Sequence, residues 1–377
     1  MSETDQSSRP SWPLNTIYFY LTKGCNLRCR HCWITPKFQG DDQSYPSLAP
    51  DLFRSILEQA KPLGLSSLKF TGGEPLIHPQ ITELLDHVQT ENLPLAVETN
   101  GVACTPELAG KIRACKDPFV SVSLDGADAE THEWVRGVKG CFEAALAGIK
   151  NLVDEGLPPQ IIMTVMRRNV SQMDSMARLA ESLGASSLKF NVLQPTARGA
   201  HIHESHGALS IEELLKLGRW VENDLSKTTK MRLMFDHPMA FRPLGKIYSS
   251  QGDGCGTCGV LGILGVLGDG AYALCGIGET VPEMVFGHAG TDRLEDVWMG
   301  SPVLTEIREG MPKALKGICG QCLMRSRCRG SCIAQNYYSN KDLWAPFWFC
   351  REAHSRGLFP VSRLAEDDPG DRSAAVA

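Results

Sequence analysis

The stretch TIYFYLTKGCNLRCRHC, residues 16–32, decides how the rest of the chain is read. Its first half, Thr16 to Thr22, is a run of aromatic and β-branched residues, which reads as a short buried strand. Its second half sets Cys25, Cys29 and Cys32 on a loop that begins where the strand stops. Five further runs share the texture of the first: Ser67–Thr71, Leu95–Thr99, Phe119–Leu124, Gln160–Met166 and Ser187–Leu193. Helical segments separate them, as parallel βα units require. Thr105 before Pro106 reads as a helix cap followed by proline at the first helical position, and Ser210 with Glu213 as a capping box. Six βα units are too few to close an eight-stranded barrel. The expected fold is therefore α/β, an open partial (β/α)6 barrel over residues 14–235, with its site at the C-terminal strand edges.

The residues able to do chemistry fall at those edges. Cys25 follows the first strand, Gly72-Gly73-Glu74 the second, Asn100-Gly101 the third and Asp125-Gly126 the fourth. One short echo joins Gly64-Leu-Ser-Ser-Leu-Lys-Phe70 to Gly184-Ala-Ser-Ser-Leu-Lys-Phe190, too brief to establish a duplication.

Composition narrows the class. The chain has 377 residues, 42% of them apolar, and a formal net charge of −5. That is enough for a large core, with no basic block for nucleic acid. The polar N-terminus has no secretory h-region, and Val260–Leu267, broken by glycines, is too short to span a membrane. A cytoplasmic protein without nucleic-acid or membrane partners is expected, with termini 1–13 and 364–377 disordered.

Fourteen cysteines in such a chain point to metal rather than disulfides. Cys104, Cys115 and Cys141 stand apart and read as small buried hydrophobes. His201, His203 and His206 read as a solvated loop. Three thiolates on one loop can hold three corners of an iron–sulfur cubane and leave the fourth iron open. A zinc knuckle or a redox loop would use the same residue type, but zinc usually completes four protein ligands.

Cys25-x3-Cys29-x2-Cys32, with aromatic His31 before the last cysteine, resembles the hallmark of radical S-adenosylmethionine (SAM) enzymes. The resemblance extends over about residues 14–200 and implies an open iron that chelates SAM. Thr71-Gly-Gly-Glu-Pro75 resembles the family's GGE segment, so Gly72, Gly73 and Glu74 are expected at the SAM amino group. It places Asn100 among the SAM contacts at the third strand edge. Ser123 and Asp125 are expected on the ribose side, and Leu193 against adenine.

Beyond residue 236 glycine and cysteine replace helical periodicity, so a second domain over 236–363, held by clusters more than by core, is expected. Gly268-Asp269-Gly270 reads as a hairpin turn there. Trp344, Phe347, Trp348 and Phe349 crowd Cys350 and read as a shield or core closure. The set Cys258-x11-Gly270-x4-Cys275, then Cys319-x2-Cys322-x5-Cys328-x3-Cys332, then Cys350, resembles the SPASM extension. Zinc ribbons also use paired cysteines. With Cys255 the resemblance implies two closed auxiliary [4Fe–4S] clusters. One takes Cys255, Cys258, Cys275 and Cys332; the other takes Cys319, Cys322, Cys328 and Cys350. Three clusters and SAM are the expected cofactors.

SPASM-bearing relatives mostly modify ribosomally made peptides or proteins, and length and spacing resemble the anaerobic sulfatase-maturating type. That type carries an aspartate base directly after the third cysteine of the extension; here the position is Gly276. Asp236 and Glu279 are substitute candidates. The expected function is therefore peptide or protein maturation by crosslinking, oxidation or a related modification. Sulfatase maturation with a different base, a haem-type tetrapyrrole substrate, and a non-enzymatic iron–sulfur electron carrier are the alternatives. Only 24 residues precede Cys25, too few for a fused peptide-recognition module, so recognition is expected from a separate protein or directly from the barrel loops and the extension. A flavodoxin or ferredoxin is the expected electron donor.

Overall fold

The computed structural model describes residues 12–41, 44–248 and 258–365. Cys255 and most of both expected disordered termini lie outside these residues. The main sheet has ten strands, labelled here in chain order as β1 Thr16–Tyr20, β2 Ser67–Thr71, β3 Pro94–Thr99, β4 Lys116–Ser123, β5 Gln160–Val165, β6 Ser187–Val192, β7 Arg232–Asp236, β8 Ile263–Val266, β9 Ala271–Ala273 and β10 Val285–His288. Their spatial order is β10-β9-β8-β1-β2-β3-β4-β5-β6-β7. Seven consecutive strands, β1 to β7, are mutually parallel, with β8 parallel on the other side of β1.

The helices between them are α1 Pro50–Ala60, α2 Ile81–Glu91, α3 Pro106–Arg113, α4 Ala129–Arg136, α5 Cys141–Asp154, α6 Met173–Ser182, α7 Arg198–Glu204 and α8 Ile211–Asn223. Thr105 Oγ1 accepts from Leu108 N at the start of α3, and Ser210 with Glu213 closes the reciprocal capping box of α8.

Strand alternation assigns the two faces. Ile17, Phe19, Leu68, Phe70, Leu95 and Val97 are buried on the outer, helix-covered face, where Phe53 of α1 meets Phe19 and Phe70 at centroid distances of 4.7 and 5.8 Å. Burying each such ring contributes about 1.5–3 kcal/mol. Tyr18, Lys69, Glu98, Lys189 and Asp236 sit at the intervening positions and line the inner face.

The chain forms two compact units. The first takes the described residues up to Asp236 and then Gly259–Arg308; the second takes the described parts of 237–258 and of the chain from Glu309 onward. One break falls after Asp236, and 259–308 groups with the barrel. The reason is physical: Ile263 to Val266 are all buried and extend the barrel sheet beside β1. This segment is held by apolar core, which the sequence reading had not expected. Its Gly268–Gly270 turn joins antiparallel β8 and β9 as anticipated.

The second unit packs around aromatic residues. Phe241 meets Phe349 at 5.2 Å and Phe359 at 5.5 Å. Trp344, Phe347 and Phe349 are buried, closing core as their crowding implied.

Candidate active site

The cysteine loop leaves β1 and is anchored to the end of α4. Arg28 N donates to Arg136 O at 3.0 Å and Arg30 N to Val135 O at 2.9 Å. These donors satisfy carbonyls that a helix C-terminus otherwise leaves open. Gly137, at φ +76°, ends α4 there, and a Cβ on it would stand 2.6 Å from Arg28 O. Only glycine allows this approach. Arg198 at the start of α7 clamps the loop from another side, its N donating to Cys32 O at 3.2 Å and its Nη1 to Cys29 O at 3.3 Å.

Cys25 and Cys29 are buried and Cys32 half-buried, and all three belong to one packed cluster with Leu27 and Cys141. Burial, followed by the Glu74 carboxylate, pushes the Cys25 thiol up. Burial also raises Cys29, opposed by the Arg136 guanidinium, whose Nη1 donates to Cys29 Sγ at 3.5 Å. Among the described residues, no three Cys, His, Asp or Glu side chains close around a point as one metal ion demands. A cubane takes each thiolate on a different iron, so its ligands stand apart, and the donor set on this loop fits such a cluster.

The Gly72-Gly73-Glu74 turn lies against this loop. Gly73 N donates to Thr22 O at 3.0 Å, Glu74 N donates to Gly24 O at 2.9 Å, and a Cβ on Gly73 would meet Gly24 O at 1.9 Å. Glu74 is 1% exposed. Its carboxylate already accepts from Thr99 Oγ1 at 2.6 Å, Asn100 N at 2.8 Å and Leu76 N at 3.1 Å. Of about four lone-pair sites on a carboxylate, one remains for a ligand. Asn100 Nδ2 donates to Asn26 Oδ1 at 2.7 Å, tying the end of β3 to the cysteine loop.

Asp125, expected on the ribose side, is held by contacts within the protein. It is fully buried, paired with Arg136 Nη2 at 2.7 Å, within 3.7 Å of His31 Nε2, and accepts from Thr164 N at 2.7 Å. Burial alone would raise Asp125, but Arg136 and His31 hold it below its ordinary value. His31, pushed down to about 4 chiefly by burial, keeps a buried Nδ1 with no protein partner. Ser123 is half-buried at the end of β4. Leu193 packs with Val135, Met166 and Ile202. His201 and His203 lie on α7 rather than in a loop, and His203 Nε2 meets Leu193 O at 3.1 Å.

A cavity of about 240 Å3 opens where the segments flanking the cysteine loop, residues 20–23 and 34–37, meet the glycine turn, and Glu279 also lines it. Glu279 is tied to Lys23 at 3.1 Å, and Lys23 also meets Asp269 at 2.8 Å. Burial raises the Glu279 carboxyl, with Lys23 pulling it down. The position after Cys275 has no room for a carboxylate: a Cβ on Gly276 would stand 2.4 Å from Cε1 of the buried Tyr20 ring.

On the inner face the Ser-Ser-Leu-Lys-Phe echo acquires a structural meaning. Lys69 on β2 pairs with Glu98 on β3, and Lys189 on β6 pairs with Asp236 on β7 at 3.1 Å. Each copy of the echo places a lysine against a carboxylate of the following strand. Asp236 is thus an inner-face group. Arg136, Tyr20 and Lys23 were not among the site residues expected from the sequence.

In the second unit Cys319, Cys322, Cys328 and Cys350 lie close enough to perturb one another's ionisation. Phe347 N donates to Cys319 Sγ and Met324 N to Cys322 Sγ, each at 3.4 Å. Cys332 senses Cys258 in the same unit. Cys275 belongs to the first unit.

Comparison with known proteins decides the family. Residues 19–180 match the Radical SAM superfamily. The chain is 31% identical to the AdoMet-dependent heme synthase of Methanosarcina barkeri, over 86% of this chain and 93% of that protein. The chain belongs to the radical SAM superfamily. It is also 30% identical to the mycofactocin maturase of Mycobacterium ulcerans, over 94% of this chain and 92% of that one. Two solved structures share the fold. SuiB of Streptococcus suis bound to precursor peptide SuiA gives a TM-score of 0.69 at 16% identity, covering 93% of this chain and 78% of SuiB. anSMEcpe with bound AdoMet gives 0.67 at 17% identity, covering 91% and 98%. As a radical SAM enzyme the chain uses SAM and a [4Fe–4S] cluster. Among the described residues no helix is long and apolar enough to cross a membrane.

Proposed function

We propose that this radical SAM enzyme matures a ribosomally made peptide or protein and carries three [4Fe–4S] clusters. The observation that carries the peptide reading is the identity to mycofactocin maturase, spread over 94% of this chain. The fold is also that of SuiB, solved with a precursor peptide.

Cys25, Cys29 and Cys32 hold the first cluster. Cys255, Cys258, Cys275 and Cys332 hold the second, and Cys319, Cys322, Cys328 and Cys350 the third. A reduced [4Fe–4S] cluster held there would supply the one electron that splits SAM into methionine and a 5′-deoxyadenosyl radical. The chain's own part is positioning. Gly72 and Gly73 admit the ligand backbone-close, Glu74 and Asn100 brace the loop while presenting one free acceptor site, and Ser123, His31 and Leu193 bound the nucleoside side. Asp125 holds Arg136 and His31 in place behind them.

Asp236, on the inner face and paired with Lys189, is the candidate to take a proton from substrate. Glu279 is tied to Lys23 and buried, which favours a supporting role. A separate recognition protein presents the substrate, and a flavodoxin or ferredoxin supplies electrons.

A second reading, a haem-type tetrapyrrole substrate, is favoured by the 31% identity to the heme synthase. The test is direct. Anaerobically reconstituted, reduced protein with SAM is offered a short peptide encoded beside its gene and, separately, an iron tetrapyrrole haem precursor. A modified peptide, such as one lighter by two hydrogens, supports maturation; conversion of the tetrapyrrole alone replaces it with the second reading.

A further inference from the structure

The whole chain is acidic, at −5, yet a groove of about 920 Å3 beside the cysteine loop is cationic. Arg28, Arg30, Lys37 and Arg198 line it against a single described carboxylate, Asp41, and Cys29 lies in its wall. Asp41 pairs with Arg28. None of the described carboxylates pairs with Arg30, Lys37 or Arg198. These cations are placed by rings and carbonyls instead. The Arg30 guanidinium stacks 4.6 Å from the Trp134 ring centroid while its Nε donates to Trp134 O at 2.8 Å. Trp134 is 38% exposed, an apolar plate inside a basic rim. A cleft lined by one sign of charge concentrates partners of the opposite sign.

We infer that this groove docks the protein that reduces the SAM-cleaving cluster, an acidic low-potential electron carrier of the flavodoxin or ferredoxin kind. The inference rests on assigning Cys25, Cys29 and Cys32 to that cluster. A carrier seated here brings its redox centre up to Cys29, one of the three loop thiols. The carrier gives up one electron and the cluster gains it; no bond forms and no proton moves. An acidic segment of a substrate precursor would also suit the charge. The thiol in the wall favours the carrier, because nearness to the cluster matters for electron transfer and is irrelevant to anchoring a leader segment.

The experiment compares reconstituted wild-type enzyme with Lys37→Glu and the milder Lys37→Gln. Reduced flavodoxin or dithionite is the reductant, and flavodoxin affinity is measured by titration. The expected result for the Glu variant is a rise of about tenfold or more in flavodoxin KM and Kd, with dithionite-driven 5′-deoxyadenosine formation held within about twofold. The Gln variant falls between, and added salt weakens wild-type binding more than that of the Glu variant. Unchanged flavodoxin KM and Kd in both variants overturns the inference. So does a shift confined to the KM of the precursor peptide, or an equal loss with both reductants. If wild type with dithionite makes no 5′-deoxyadenosine, the cluster assignment fails instead, and the flavodoxin Kd still judges the groove.

Discussion

The Tyr20 ring occupies the space that a side chain at position 276 would need: a Cβ on Gly276 would lie 2.4 Å from Cε1 and 2.6 Å from Cζ of that ring. Tyr20 is 4% exposed and makes an edge contact with Trp33, at a centroid distance of 6.5 Å, so it cannot swing away freely. The missing sulfatase-type base is therefore built into the packing here. Gly276→Asp is expected to destabilise the protein by about 1–3 kcal/mol through overpacking, and to confer no sulfatase-maturing activity. Adding Tyr20→Ala should recover part of that loss. Thermal unfolding of the single and double variants checks both.

Arg136 joins the fold to the cluster loop. It is 7% exposed, and it holds the fully buried Asp125 with one nitrogen and Cys29 Sγ with another. Arg136→Gln leaves Asp125 buried without its cation and should cost about 3–5 kcal/mol. Arg136→Gln with Asp125→Asn should cost clearly less than the single change, since no orphaned charge remains. Denaturant unfolding of the four-member cycle measures the coupling.

Glu213 gives a pH signature. The Arg167 guanidinium, followed by the Ser210 backbone N–H, holds its carboxyl down to about 2. A group depressed in the folded state stabilises above its unfolded pKa, about 4.3, and loses that contribution as pH falls toward the native value. The side chain is 40% exposed, so the cap and the ion pair together are worth about 0.5–1 kcal/mol. The stability gap between wild type and Glu213→Gln should be constant from neutral pH to about pH 5 and close below about pH 4. Paired unfolding curves across that range check it.

The inner-face carboxylate separates radical generation from substrate chemistry. Asp236→Asn should leave uncoupled 5′-deoxyadenosine formation within about twofold while lowering substrate conversion by about a hundredfold. Equal loss of both products would assign Asp236 to the fold rather than to proton transfer.

Much of this arrangement was legible in the sequence, for local reasons. The six expected strands appear with ends shifted by no more than a few residues, because β-branched and aromatic runs bounded by polar turns leave few alternatives. The capped starts of α3 and α8 were written in adjacent residues. β7 was missed because Arg232-Leu-Met-Phe-Asp236 has no β-branched residue, and its strand state comes from pairing with β6. The pairing of β8 with β1 joins residues remote in sequence, which no local pattern records. Asp125 sat at the anticipated strand end, but its direction depends on Arg136, a helix residue outside every motif. The echo around Lys69 and Lys189 was visible, while its meaning required the carboxylates of the neighbouring strands.

The account's central claim is that the Cys25, Cys29 and Cys32 loop holds the cluster that cleaves SAM, apart from eight thiolates holding two others. The decisive measurement is 5′-deoxyadenosine formation, together with iron content, in reduced wild type and in a variant with all three loop cysteines changed to alanine. The account predicts product from wild type, none from the variant, and a fall from about twelve to about eight irons per chain. Product from the variant, or unchanged iron, would contradict it.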